Sequence, residues 1–363
     1  SWSRALWAGL ALGLALSAKL SALVFVPIFA LVGGLDLLGT RSGVLRRGMG
    51  HVGTLVLAGL VGTLVVWAGY GFRLGSLHEG GLVVPAPPYL RGVAAILDFT
   101  AGGRPSYLLG QYSESGWWYY FPVAFAVKTP LATLLGIILA GVIVLWRRTR
   151  DDIFLLLPPL AYFLSSMTSS LNIGYRHLLP VLPFAAVHIG RLAAPDVSTI
   201  WTGWRRRVLR LVVAALVIWL AVGTLAIHPY FLAYFNLLGG GPDQGWRVLV
   251  DSNIDWGQDL KRLHEWMTRE GVDHIQFSWF GPAYPEAYGI PYETLPGMPK
   301  GLLMWNDPPF DPDNPSPAVY VISVSNLVGL YFPDHDLYRW FLARTPYAKV
   351  GYSLFIYEVS ADE

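Results

Sequence analysis

The chain has 363 residues, 54% of them hydrophobic and only 14% charged, with a mean hydropathy of +0.45, a composition that excludes an ordinary soluble enzyme and reads as a multi-span membrane protein. A formal net charge of +2 excludes a strongly basic nucleic-acid-binding surface. The absence of cysteine excludes disulfides and thiolate metal sites.

Apolar segments run over 5–18, 20–37, 51–70, 122–146, 153–168, 177–192 and 210–228. Crossing ~30 Å of hydrocarbon takes about 20 helical residues, and several segments, 5–18 and 177–192 among them, fall short of that alone. The basic residues between segments alternate. One set of connections holds Arg4, then Arg41, Arg46 and Arg47, then Arg147, Arg148 and Arg150, then Arg191, Arg205, Arg206, Arg207 and Arg210. The other set holds Lys19, a long loop over 71–121 with only Arg73, Arg91 and Arg104, and the stretch from Asn172 to His177. Because positive charge near span ends marks the cytoplasmic side, seven crossings put every arginine cluster there. The 71–121 loop and everything after about residue 229 then lie outside. Within that loop, Leu90, Val93, Ala94 and Leu97 follow helical spacing between Tyr89 and Phe99, which predicts a short helix on the membrane surface. The run GWWYYFP at 116–122 places five aromatics where a span begins, as an interfacial belt does.

After Pro229 the pattern changes to that of an α/β domain. WRVLVD (246–251), HIQFSWF (274–280), AVYVISV (318–324) and GYSLFIYEV (351–359) read as strands, the last as a strand or hairpin, with helices at 257–270 and 335–343. The Pro/Gly-rich excursion at 281–317 reads as surface loop. The expected architecture is therefore a polytopic α-helical membrane protein of about seven spans over 1–229, followed by a small extracytoplasmic α/β domain over 230–363.

Polar residues in such a chain need a reason. SSLNIGYRHLLPVLPF (169–184) places Asn172, Tyr175, Arg176 and His177 within six residues. A charge inside a span costs at least ~2.5–3.5 kcal/mol unless it reaches water, a partner or a ligand. A snorkelling arginine would satisfy that condition alone. Two further cations, Lys19 in LALSAKLSAL and Lys128 in FPVAFAVKTPL, lie at similar depth on the outer side without a carboxylate close in sequence. Three such cations point to a missing anion, and a lipid-borne phosphate fits their chemistry. Glu114 is the acidic residue of the long loop nearest the membrane and a candidate substrate contact. In DSNIDWGQD (251–259), Asp251, Asn253 and Asp255 occupy the first three ligand positions of a calcium loop. The pattern then fails, with Trp256 at the turn-glycine position and Arg262 at position twelve. The plainer reading is a tight turn after a strand, with Asp255 capping the next helix, and the turn stays a candidate recognition loop.

Four stretches together resemble the dolichyl-phosphate-mannose–protein mannosyltransferase-like family of GT-C membrane glycosyltransferases (glycosyltransferase family 39). They are GLALGLALSAKLSALVFVP (9–27), GWWYYFPVAFAVKTPL (116–131), LNIGYRHLLPVLPF (171–184) and HPYFLAYFNLLGGGPDQGWRVLVDSNIDWGQDLKRL (228–263). The resemblance implies transfer of a sugar, mannose or another hexose, from a polyprenyl-phosphate carrier to a hydroxyl of an acceptor protein or lipid of the cell envelope. The reaction would take place on the outer face of a plasma or inner membrane, with inversion. It places Lys19, Lys128 and Arg176 on the carrier phosphate, with His177 and Tyr175 lining the same pocket, and Asn172 is a further candidate substrate contact. It also places the catalytic acidic residue in a loop upstream of the 9–27 run, where nothing in this sequence matches. The chain is thus expected to be the C-terminal part of a longer enzyme whose general base precedes Ser1. No cofactor is implied with certainty and a divalent metal is left open. Two other classes compete: a transporter or flippase of anionic lipid-linked substrates, which predicts charge through the whole bilayer depth, and a membrane-anchored sensor acting through its outer domain.

Overall fold

The computed structural model describes residues 2–38, 44–146, 150–194, 203–297 and 310–361. The protein is mostly helical with a small region of sheet. Two helices, Gly48–Gly69 and Trp204–Ile227, are long and apolar enough to cross a bilayer, at 22 and 24 residues. At 1.5 Å per residue they measure roughly 33 and 36 Å, sufficient for the hydrocarbon core. Leu211, Ile218 and Leu225 on the second are 62–75% exposed, as an apolar surface facing lipid would be. Among the described residues the other expected crossings are shorter: Leu20–Leu35 and Asp152–Ser166 are apolar helices below spanning length.

The chain divides into two compact units. The first comprises 1–102, 143–166 and 183–188. In it the Trp2–Ala18 helix packs along the Val44–Gly69 helix. Glycine makes this close approach: a Cβ on Gly9 would stand 2.7 Å from the Ala58 carbonyl oxygen, and one on Gly13 2.8 Å from that of Gly62. Small residues four apart are a common device for bringing membrane helices together. The first helix stops at Lys19, whose backbone is extended (φ −155°, ψ 125°), and a 3-10 turn leads into the Phe25–Leu38 helix. There Phe25 stacks on Tyr162 at 4.9 Å. A hairpin of β1 (Leu74–Ser76) and β2 (Val83–Pro85) precedes the Pro87–Ala101 helix. Tyr89, Leu90 and Val93 of this helix pack against Leu16, Val66 and Trp67. Ile96, Leu97 and Phe99 remain exposed, so the helix expected between Tyr89 and Phe99 forms, with its apolar stripe divided between protein and surroundings.

The second unit comprises 103–142, 167–182 and 189–363. It opens with a hairpin of β3 (Ser106–Leu108) and β4 (Gln111–Ser113). The segment 122–146, expected as one continuous crossing, is two helices: Tyr120–Lys128 and the helix from Leu131 meet at 109°. Pro130 accounts for the break. It drives Thr129 into the extended region (ψ 133°) and has no N–H to continue the ladder. In place of the 177–192 crossing stand a 3-10 turn, Tyr175–Val181, a nine-residue helix, Leu182–Gly190, and a further 3-10 turn.

The sheet has five strands, β5 (Ile275–Ser278), β6 (Tyr292–Thr294), β7 (Ala318–Ser323), β8 (Ala348–Val350) and β9 (Leu354–Val359), in the order β6-β5-β7-β9-β8. The β5 strand is parallel to both neighbours, while β9 is antiparallel to β7 and β8. Against it packs the Leu260–Glu270 helix through Leu260, Leu263, Trp266 and Met267, a helical stripe that the sequence already displays. Two expected elements differ. WRVLVD is a turn, since the amides of Val248 and Leu249 bond back to Gly245, and Leu249 and Val250 are buried side by side without strand alternation. The helix expected at 335–343 is the single turn Arg339–Leu342, because His335 takes a left-handed backbone (φ 55°) that no helix continues through.

Candidate functional site

The two polar stretches singled out from the sequence interlock within the second unit. The Ser252 hydroxyl donates to the carbonyl of Ile173, and the Tyr175 amide donates to Asn253 Oδ1 at 2.9 Å. Between these bonds sits Gly174, where any Cβ would collide with Ser252 Oγ. Asn253 also donates through Nδ2 to the Tyr120 hydroxyl at 3.0 Å and to the Val250 carbonyl at 2.9 Å. One buried amide thus ties together the start of the broken helix pair, the 172–177 stretch and its own turn.

Beyond these bonds Arg176 reaches the surface, its guanidinium 5.3 Å from the centroid of the Trp256 ring. Trp256 packs edge-on against Phe280, whose ring stacks on Tyr331. Tyr331 donates to Asp251 Oδ2 at 2.6 Å. The other carboxylate oxygen of Asp251 takes the Ser252 amide. Asp251 itself stands at φ 60°, and its amide donates to Ser325 Oγ at 3.0 Å.

This turn lies at the carboxyl ends of the parallel strands. Ser323, the last residue of β7, donates to Asp255, and Asn326 just beyond it bonds Ser278 Oγ, at the end of β5, at 2.9 Å. Crevices at the carboxyl ends of parallel strands are the usual ligand sites of open α/β sheets. Burial pushes the Asp255 carboxyl up to about 8, and the neighbouring Asp259 and Asp251 add to the shift. Burial likewise raises Asp251 to about 6, while the Tyr331 and Ser252 bonds and the charge of Arg176 pull it back.

The remaining expected residues fall as follows. Lys128 is buried, donating to the carbonyls of Leu232 (2.8 Å) and Asn253 (2.6 Å) and lying 4.2 Å from the Phe235 ring centroid. In this structure it braces the Asn253 turn from inside. A phosphate would have to compete with those carbonyls for it. Tyr175 meets Thr129 hydroxyl to hydroxyl at 2.9 Å, and the His177 ring packs edge-on against Phe121. Asn172 is buried, accepting from the Trp117 amide at 2.7 Å and donating to the Ser169 carbonyl at 3.0 Å, so it pins the aromatic turn at 116–117. Glu114 is exposed on that loop. Lys19 is exposed in the first unit, whereas Lys128 and Arg176 belong to the second. The arginines at 41 and 147–148 lie outside the described residues, and for Arg46, Arg47 and Arg150 only the helical backbone is described.

The calcium reading finds no support in these side chains. Asp251, Asn253 and Asp255 each turn to separate protein partners, and among the described residues no cluster of three His, Asp or Glu could hold a metal ion. Asp255 accepts from the Gly257 amide at 3.2 Å and closes a turn; the helix it was expected to cap starts later, at Leu260. Sequence reading missed Trp256 and Tyr331 as partners of the site, and also Asn236, which donates to the carbonyls of Ala126 and Thr129 at the end of the broken helix. The composition DWGQD marks an exposed tryptophan beside a turn; nothing in LYFPDHD marks Tyr331.

The fold and site define a membrane-associated helical protein whose α/β unit carries a cationic, aromatic-lined surface site. No family model matches the chain, and no curated protein or solved structure is significantly similar to it.

Proposed function

We propose that the protein acts as a polyprenyl-phosphate-dependent glycosyltransferase on the outer face of the membrane, with Arg176 as the contact to the carrier phosphate. The observation carrying this reading is the exposed guanidinium of Arg176, stacked on Trp256 at the carboxyl end of the parallel strands and fixed at its root by Ser252 and Asn253. When a glycosidic bond to a carrier phosphate breaks, negative charge grows on the phosphate oxygens. A positive group already held in place stabilises that charge without reorganising. Arginine suits the task because its planar fork engages two phosphate oxygens at once.

The test is transfer of sugar from a polyprenyl-phosphate donor by membranes containing the protein at its natural full length. Arg176→Ala is expected to lower turnover by roughly 10²–10³, the usual loss for one contact that stabilises transition-state charge. Arg176→Lys should recover part of it, since a point charge replaces the fork. Near-normal transfer by the alanine variant removes Arg176 from the site. Undiminished passage of the lipid across the bilayer, with no sugar transferred by any variant, favours the transporter instead.

A further inference from the structure

Arg176 and Asp251 present a problem in electrostatics. The charge of Arg176 reaches the Asp251 carboxylate, and the segments carrying them are bonded together. A guanidinium near a carboxylate ordinarily closes into a two-pronged pair. Among the described residues, however, Arg176 makes no ion pair with Asp251 or any other acid. Both carboxylate oxygens are already engaged, one by the Tyr331 hydroxyl and the other by the Ser252 amide. The guanidinium lies instead over the Trp256 ring. The two holding groups belong to one aromatic series, Trp256 to Phe280 at 5.6 Å and Phe280 to Tyr331 at 5.8 Å, with Phe280 fully buried between them.

We propose that Tyr331 and Trp256 are positioning residues that keep Arg176 apart from Asp251, and so available to an anion. Tyr331 and the Ser252 amide each donate to one oxygen of that carboxylate. Trp256 holds the guanidinium over its ring, and Arg176 is exposed. The phosphate chemistry of the anion rests on the glycosyltransferase reading; the separation of the two charges does not.

The separation is read by phenylglyoxal labelling of the intact chain in detergent, followed by peptide mass spectrometry, because an unpaired guanidinium reacts faster than a paired one. Arg269, exposed on the Leu260–Glu270 helix, serves as internal reference. Tyr331→Phe removes only a hydroxyl and is expected to slow labelling at Arg176, while adding Asp251→Asn in the same chain restores it. Trp256→Leu is expected to slow labelling too, with the same rescue. Farnesyl phosphate supplies the ligand arm, with farnesol as control for the tail. Its affinity should fall at least about tenfold in Tyr331→Phe, the order of one lost charge-assisted contact, and return in the double variant. Unchanged labelling in Tyr331→Phe, or a loss that Asp251→Asn fails to reverse, overturns the inference. If labelling behaves as stated but the unmodified protein does not bind farnesyl phosphate, the positioning role stands and the carrier-phosphate reading falls.

Discussion

Asp255 shows how strongly a single burial can bias this site. Its carboxyl is 1% exposed and is raised from an ordinary 3.8 to about 8, chiefly by loss of water. The folded chain therefore binds a proton more tightly than the unfolded chain across that interval. Stability from this group is full below about pH 3.8 and is lost as pH rises towards 8. Asp255→Asn copies the neutral carboxyl with an amide of the same shape. It is expected to leave the melting temperature near pH 3 almost unchanged and to raise it at pH 8.5, a difference that thermal unfolding in detergent at the two values measures. An equal shift at both values would show that folding does not raise the Asp255 pKa. At this scale the sequence is informative about which residues are polar and silent about their partners. The spacing of Asp251, Asn253 and Asp255 identifies a tight polar turn. Their partners Tyr331, Tyr120 and Ser323 stand 80, 133 and 68 residues away, and only the sheet order brings them together.

Among the elements, those written by local periodicity were legible, and those decided by a neighbour were not. The Leu260–Glu270 helix displays its buried stripe, and the 351–359 run holds a turn and β9, which pairs back on β8 just before it. WRVLVD is as apolar as a strand, yet the sheet has no place for it, and its residues fill the interior as a turn. The proline that breaks 122–146 was visible, but a long apolar run outweighed it. The glycines at 9 and 13 mark a close helix contact in the sequence itself. They sit four residues apart on the face where the Val44–Gly69 helix lies. Gly13→Leu would press a side chain into Val65 and the Gly62 carbonyl, and overpacking of this kind costs about 1–3 kcal/mol. The expected outcome is a clear drop in the melting temperature of the protein in detergent. Gly34→Leu, where a Cβ meets nothing within 4 Å, should change it little. Equal effects at the two positions would remove the close helix contact.

For the whole molecule, the distribution of arginine makes a definite claim about the sidedness of the membrane. Arg205, Arg206, Arg207 and Arg210 crowd the first two turns of the Trp204–Ile227 helix, and no basic residue occupies its last turn. Such asymmetry orients a span with its basic end in the cytoplasm. The helix is long enough to carry the chain to the other face, so everything joined to its far end, including Asp251, Trp256 and the sheet, would stand outside. The lack of cysteine in these 363 residues allows this to be tested directly, since each introduced thiol is the sole target among them. In intact cells a membrane-impermeant maleimide is expected to label Glu265→Cys on the exposed face of the Leu260–Glu270 helix, and to spare Arg207→Cys until the membrane is permeabilised. Labelling of the reverse pattern would place the Arg176 site with the cytoplasmic pool of soluble phosphates. Its guanidinium would then meet nucleotides and inorganic phosphate at high concentration, and a lipid-borne phosphate would have to displace them. The outer face offers few such competitors, so an exposed, uncommitted arginine can serve there as a selective contact for a lipid-linked anion.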